Sequence, residues 1–327
     1  MIFVPDFYKK FKCIADRCAD SCCVGWEIDV DCETLKKYRE MGDENILSHI
    51  VTDAEIPYIR LSDDERCPFL DGHGLCRIIS KIGEDCIPEI CKKHPRYYNE
   101  ILGFTECSIG LSCPTAAEII LSVSQKPKVE SIPTKCEDKT ENEREIPTDE
   151  AKTVKTLYKL RDKLFDFVFD TELDAVGMVS GLIVYQEKIS DYLFDGTPIG
   201  EIDNGDESAL YRVIDLLPRA FSKIELLSED LRAIGRLATR ERIISALSEH
   251  DGAVRALLCY FLHRYFLAGA EDFDLDDRLT LSALLLFICL AFIGDGDVVG
   301  GCVLFSKNVE YSTENIDILL DIIAEGT

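Results

Sequence analysis

The chain has 327 residues, of which 46% are hydrophobic and 30% charged. That composition builds buried cores and excludes disordered, collagen-like and low-complexity classes, and the length suits two domains. Lys and Arg number 36 against 61 Asp and Glu, a net charge of −25, which repels phosphate backbones and anionic membrane surfaces and argues against a nucleic-acid partner.

In chain order, the opening MIFVPDFYKKFKC has no apolar stretch of the kind a secretory signal carries. The longest apolar run, Leu279 to Ile293, falls short of the ~20 residues that span a bilayer. The expectation is a cytoplasmic protein without a membrane span. Twelve of the fifteen cysteines precede residue 137, and only Cys259, Cys289 and Cys302 follow. Such a skew marks residues 1–125 as a cysteine-rich domain. In a reducing compartment, cysteines bind metal or do chemistry more often than they form disulfides.

Residues 126–150 include three prolines and many charges without apolar periodicity, which reads as a flexible linker. From 151 to 327 the pattern is helical. Leu157, Leu160, Leu164, Phe165 and Val168 recur at three- and four-residue steps, giving one apolar stripe. Single helices are expected over 173–194, 208–224, 228–248, 253–267, 278–293 and 313–324, separated by Gly/Asp-rich turns. Ser228 and Thr313, each followed by acidic residues, read as N-caps, and Val298 to Phe305 reads as a short strand. The predicted class is therefore mostly α: a cysteine-rich metal-binding N-terminal domain followed by an α-helical bundle.

The cysteines occur as C13-IADR-C18-ADS-C22-C23-VGW, C67-PFLDGHGL-C76, C86-IPEI-C91-KKHPR and C107-SIGLS-C113-P. Thiolates are soft anionic ligands, and several held together are stabilised by Zn²⁺ or an iron–sulfur cluster. Buried metal-free thiols, packed as small hydrophobes, are the alternative. No C-x₂-C zinc knuckle is present, the spacings differ from ordinary ferredoxins, and Gly25 stands where a Cys-x₃-Cys-x₂-Cys loop needs its third thiol.

The ordered set Cys13-x₄-Cys18-x₃-Cys22-Cys23-x-Gly-Trp, Cys67-Pro-Phe-Leu, Leu75-Cys76-Arg77-Ile78, Cys91-x₂-His94-Pro95-Arg96 and Ser112-Cys113-Pro114 resembles the FliB-type flagellin lysine-N-methylases, over residues 7–120. The resemblance implies S-adenosylmethionine-dependent methylation of flagellin lysines and an iron–sulfur cluster, of 4Fe-4S type, with zinc as the alternative. It also implies a ligand set of Cys13, Cys18, Cys22, Cys23, Cys67, Cys76, Cys91 and Cys113. Cys32, Cys86, Cys107 and Cys136 match no position of that pattern.

Other residues carry two readings each. His73 and His94 lie within reach of the cysteine motifs as imidazole ligands, or are surface histidines. Arg96 can hold the carboxylate of the methyl donor in a bidentate fork, or pair with a structural acid. Trp26, Tyr97 and Tyr98 can form an aromatic wall for a cation, or belong to a core. The acidic runs at 203–207 and 271–277 can steer a lysine-bearing substrate, or be solvated loops. No Gly-rich strand-to-helix turn marks a Rossmann-type donor site; GDGDVVGG at 294–301 is the nearest approach. The functional expectation is a flagellin lysine methyltransferase, with a metal carrier or sensor module, or a redox protein, as alternatives.

Overall fold

A computed structural model describes residues 2–18, 20–25, 28–133, 148–195 and 197–326. The chain divides into two compact units, one of residues 12–97 and 113–115, the other of residues 1–11, 98–112 and 116–327. This division differs from the expected boundaries at 125 and 151, because residues 1–11, 98–112 and 116–125, one of them carrying Cys107, build into the helical unit. Of the expected linker 126–150, residues 134–147 lie outside the described residues, while part of the remainder is a strand and the start of a helix.

The strands, in order, are β1 (Ile2–Pro5), β2 (Ile28–Asp29), β3 (Ile50–Val51), β4 (Tyr58–Ile59), β5 (Arg96–Ile101), β6 (Phe104–Ile109) and β7 (Val129–Ile132). They form two sheets, β5-β6-β1-β7 and β2-β4-β3. β1 runs parallel to β6, with Phe3 opposite Glu106, and antiparallel to β7, with Phe3 opposite Ser131. Leu102 and Gly103, at φ +45° and +82°, turn β5 into β6; positive φ at both central positions gives the turn the twist that a two-residue hairpin needs.

The smaller unit carries α1 (Cys32–Met41), α2 (Glu44–Leu47), α3 (Arg77–Ile82) and α4 (Glu89–Lys93) around the β2-β4-β3 sheet. Its core is made of Ile28, Val30, Leu35, Tyr38, Ile59, Phe69, Ile78 and Ile87. α5 (Pro114–Leu121) begins at Pro114, whose missing N–H costs nothing in a first turn.

The larger unit continues with α6 (Thr148–Asp170), α7 (Ala175–Asp195), α8 (Glu207–Ile214), α9 (Leu217–Lys223), α10 (Glu229–Leu237) and α11 (Arg240–Glu249). It ends with α12 (Asp251–Tyr265), α13 (Gly269–Asp272), α14 (Leu275–Ile293), α15 (Val298–Phe305) and α16 (Thr313–Gly326). α14 is apolar on every side and is wrapped by α7, α12, α15 and α16, which is why the longest apolar run of the sequence is a core helix. No helix among the described residues is long and apolar enough to cross a membrane.

Several sequence expectations are corrected. The single helix expected over 208–224 is α8 and α9, because Pro218 cannot continue a helix and clashes with the carbonyl four residues back. The one expected over 228–248 is α10 and α11, restarted where the Thr239 hydroxyl accepts the Arg242 N–H at 3.4 Å. Ser228 occupies the N-cap position of α10, but its side chain makes no capping bond. Ser312, not Thr313, supplies a side-chain oxygen at the start of α16, accepting the Asn315 N–H at 3.3 Å. Val298–Phe305 is a helix, not a strand. Asp297 caps it by accepting the N–H groups of Val299 and Gly300 at 3.1 and 2.9 Å, and Gly301 lets it lie directly on the Ile293 backbone. Packing at that distance overrides the β propensity of the valines.

The helical unit also buries charge. Arg161 of α6 donates to both Glu106 oxygens, at 2.7 and 2.6 Å, with both side chains 1% exposed or less. Burial raises the Glu106 pKa and the guanidinium outweighs it, holding the carboxyl at about 2. His263 of α12 is pushed down to about 4, first by burial and also by Arg161, against the opposing pull of Glu106. A second buried acid, Glu310, accepts the hydroxyls of Tyr260 and Tyr265 at 3.0 and 2.9 Å and pairs with Arg264 at 3.3 Å.

Candidate metal centre

In the small unit, four of the eight expected ligands, Cys23, Cys67, Cys76 and Cys91, lie in or against one apolar cluster, and Cys22 adjoins Cys23. Cys22 and Cys23 occupy a turn after Ser21, with their sulfurs 4.0 Å apart. The next residue, Val24, bridges Arg66, and the N–H of Cys67 donates to the carbonyl of Cys23 at 2.8 Å. Two segments more than forty residues apart in sequence are thereby held side by side. Cys67 opens a tight turn, Leu70 N–H to Cys67 carbonyl at 3.1 Å, and Leu70 bridges back to Cys76. Cys76 stands at the N-cap of α3, and Cys91 lies within α4.

All of these except Cys22 belong to or pack against the apolar cluster around Tyr38 and Phe69. Cys22 is the exposed member.

The electrostatics show that these thiols sense one another. Cys23 is raised far above the usual thiol range, most by its hydrogen bond with Cys22, then by burial and by the charges of Cys22, Cys67 and Cys91. Burial pushes Cys91 up to about 12, with Cys67, Cys22 and Cys76 adding to it. Cys67 rises to about 11, mainly through burial, against relief from the Phe69 N–H and Arg77. Cys23, Cys67 and Cys91 resist ionisation chiefly through burial and, for Cys23, its hydrogen bond with Cys22, with the neighbouring thiols adding to it, and a cation is what would stabilise such buried thiols as thiolates.

Soft donors in this number and adjacency fit a thiophilic metal or an iron–sulfur cluster in chemical type. Among the described residues, no three or more Cys, His, Asp or Glu side chains converge in an arrangement that could hold a metal ion.

The other expected site residues lie as follows. Cys13 is exposed and accepts the Ala15 N–H at 3.4 Å. Cys18 is half-buried at the far end of the turn Ala15–Arg17, and Cys113 is half-buried ahead of α5. None of the three belongs to the apolar cluster. His73 is exposed in the turn where Asp71 accepts its N–H at 2.8 Å, and His94 caps the end of α4. Arg96 and Tyr97 are half-buried at the start of β5, and Tyr98 is 42% exposed. Trp26 and Cys136 lie outside the described residues. The acidic runs have local partners: Asp203 pairs with Lys188 at 2.7 Å, Asp206 caps α8, and Asp272 and Asp274 pair with Arg278.

Three contributors went unrecognised in the sequence. Cys86, which matches no motif, packs on the same cluster. Tyr38 donates its hydroxyl to the Cys86 carbonyl at 2.7 Å. Burial raises its pKa, and the charges of Cys91, Cys76 and Cys86 raise it further. Asp31 caps α1 through the Thr34 N–H and also accepts the Glu89 N–H at 2.9 Å, which ties α1 to the helix carrying Cys91. Only the α1 cap, an Asp three residues before a Thr, leaves a local trace in the sequence.

Fold and site define a mostly α protein with a small thiol-gathering unit. Over 127 residues the chain is 31% identical to the flagellar biosynthetic protein FliU of Salmonella muenchen, an alignment covering 36% of this chain and 75% of that relative. It is 32% identical, again over 127 residues, to the lysine-N-methylases of Salmonella typhimurium LT2 and Salmonella choleraesuis. The chain belongs to the FliB-type family, to which its cysteine motifs pointed. It spans about a third of the length of the two lysine-N-methylases it matches. No family model matches the chain, and no solved structure does.

Proposed function

We propose that this protein is an S-adenosylmethionine-dependent protein-lysine N-methyltransferase acting on flagellin. The observation that carries the reading is the likeness to two proteins named lysine-N-methylase, together with the thiol group of the small unit. The ligands of an iron–sulfur cluster, or of zinc, would be drawn from Cys22, Cys23, Cys67, Cys76 and Cys91, with Cys13, Cys18 and Cys113 as the further members of the family pattern. When bound, the metal centre supplies a soft cationic charge that neutralises the thiolates and joins the turns that carry them.

In the proposed reaction the lysine amine must be neutral, because an ammonium has no lone pair. Its nitrogen forms a bond to the donor methyl carbon as the carbon–sulfur bond breaks, the sulfonium leaves as a neutral thioether, and the amine proton passes to solvent or a base. The chain's part is alignment and charge placement, with Arg96 as the residue to hold the donor carboxylate.

A second reading, a metal-binding module without transferase activity, is favoured by one observation. The relative that this chain covers over 75% of its length bears a biosynthetic name, not an enzymatic one.

The test is mass spectrometry of a cognate flagellin produced with and without this chain. Added methylene masses on lysines, lost with Cys22→Ser, are expected. Unmodified flagellin beside a metal-loaded protein would overturn the enzyme in favour of the module.

A further inference from the structure

α10 is built to present an apolar stripe that no described residue of its own unit fully covers. Leu231, Ile234 and Leu237 recur every three residues, yet none of the nine residues of this helix is buried. The helix is nonetheless fixed in place: Gly235 allows direct contact with Phe221 of α9, and Arg232 donates to the Phe221 carbonyl at 3.1 Å. Leu237 is 56% exposed, and Leu227, just before the helix, is 61% exposed.

Beside this stripe lies a groove of about 320 Å³ between α10, α11 and the end of α14. Ile234, Leu237, Ile243 and Leu290 supply apolar lining, and the charged lining residues are two acids, Glu249 and Asp295, and one base, Arg242. The Asp295 side chain is 95% exposed and only loosely paired, 3.8 Å from Arg242. Glu249 accepts the Ser245 hydroxyl at 2.6 Å and retains further acceptor capacity. The volume is at the small end of ligand pockets, which run from ~300 to ~1,000 Å³.

We propose that this groove docks a lysine-bearing, amphipathic segment of the protein substrate. The chemistry matches one side chain in particular. A lysine lays its methylenes along apolar surface and keeps its ammonium in water near carboxylates, and here the carboxylates of Glu249 and Asp295 outnumber the single Arg242 guanidinium beside an aliphatic lining. Apolar neighbours of that lysine would cover Leu237 and Leu227. The net charge of −25 favours encounter with a cationic segment over an anionic one. The proposal rests on the methyltransferase reading for the identity of the substrate, flagellin, and on the groove alone for the chemistry it recognises.

The experiment measures binding of purified cognate flagellin to the full-length chain, and the KM for its methylation. It compares the wild type with Leu237→Glu and with the double variant Glu249→Lys/Asp295→Lys. Leu237, Glu249 and Asp295 are all exposed, and circular dichroism checks the fold of each variant. The expected result is affinity weakened about tenfold, and KM raised by a similar factor, in both variants. Unchanged affinity and KM in the folded double variant would overturn the proposal, whatever becomes of Leu237→Glu. If the wild type binds flagellin and the variants do not, while no methyl group is transferred, the groove stands and the enzyme reading falls. A wild type that neither binds nor methylates overturns both. Light scattering that shows a dimer broken by Leu237→Glu, with flagellin binding intact, assigns the groove to a second copy and overturns the proposal.

Discussion

The N–H of Cys67 donates to the carbonyl of Cys23 at 2.8 Å, so two distant cysteine motifs are joined by main chain before any metal is considered. The side chains can then change while the backbone link persists. Cys67→Ser and Cys23→Ser should each lower bound iron or zinc to well under half of the wild-type content and lower the thermal midpoint of the small unit, since metal binding contributes directly to folding. Elemental analysis after anaerobic purification reads the first, calorimetry the second. Full metal content in both variants would remove these thiols from the ligand set.

Asp31 serves two helices at once, accepting N–H groups from Thr34 and from Glu89 at 2.9 Å each. Burial raises its pKa, and the N–H groups of Glu89 and Thr34 with the Thr34 hydroxyl outweigh it, so the carboxylate stays ionised below the ordinary range. Asp31→Ala should cost about 1–3 kcal/mol, the range of a lost cap plus a second lost charge-assisted bond. Asp31→Asn should recover part of it. Urea unfolding followed by circular dichroism separates the three proteins.

Arg161 and Glu106 form a bidentate pair with almost no exposure. Removing one partner leaves a buried charge without compensation, so Arg161→Met should destabilise by about 3–5 kcal/mol. The double variant Glu106→Gln/Arg161→Met should be more stable than Arg161→Met alone. A double variant that is worse than either single one would contradict this account.

Acid should weaken the helical unit in two stages. The folded His263 pKa lies at about 4, below its ordinary 6.5. The unfolded chain therefore takes up that proton first, and stability fully present above pH 6.5 declines as pH falls toward 4. Glu106, lowered from 4.5 to about 2, contributes stability that is present above pH 4.5 and lost as pH falls through 2. His263→Gln should flatten the loss between pH 6.5 and 4 and leave the lower stage in place. Urea midpoints at four pH values test it.

A methyl group at position 301 would lie 2.5 Å from the Ile293 Cα, a backbone atom that cannot give way cheaply. Gly301→Ala should destabilise by about 1–3 kcal/mol through overpacking of α15 on α14. Gly252→Ala, where an added Cβ meets nothing within 4 Å, is the control and should be neutral or stabilising by the gain in helix propensity. Equal midpoints for the two variants would contradict the packing of α15.

What the sequence determined by itself is what is written locally. The cysteine motifs are short strings whose order carries the family likeness, α6 repeats its apolar residues at helical spacing, and α14 is one continuous apolar run. Those signals need no partner to be read. Tertiary structure alone decided the rest. β1 belongs to the helical unit because it pairs with β6 a hundred residues away, and no local pattern announces a parallel pairing at that separation. The helix at Val298–Phe305 exists because Gly301 fits against Ile293, a contact that outweighs the β propensity of the valines. Cys23, Cys67, Cys76 and Cys91 share one apolar cluster because the Cys67 N–H donates to the Cys23 carbonyl and the Glu89 N–H to Asp31. Periodicity specifies which face of an element is buried; only packing specifies which distant residue it is buried against.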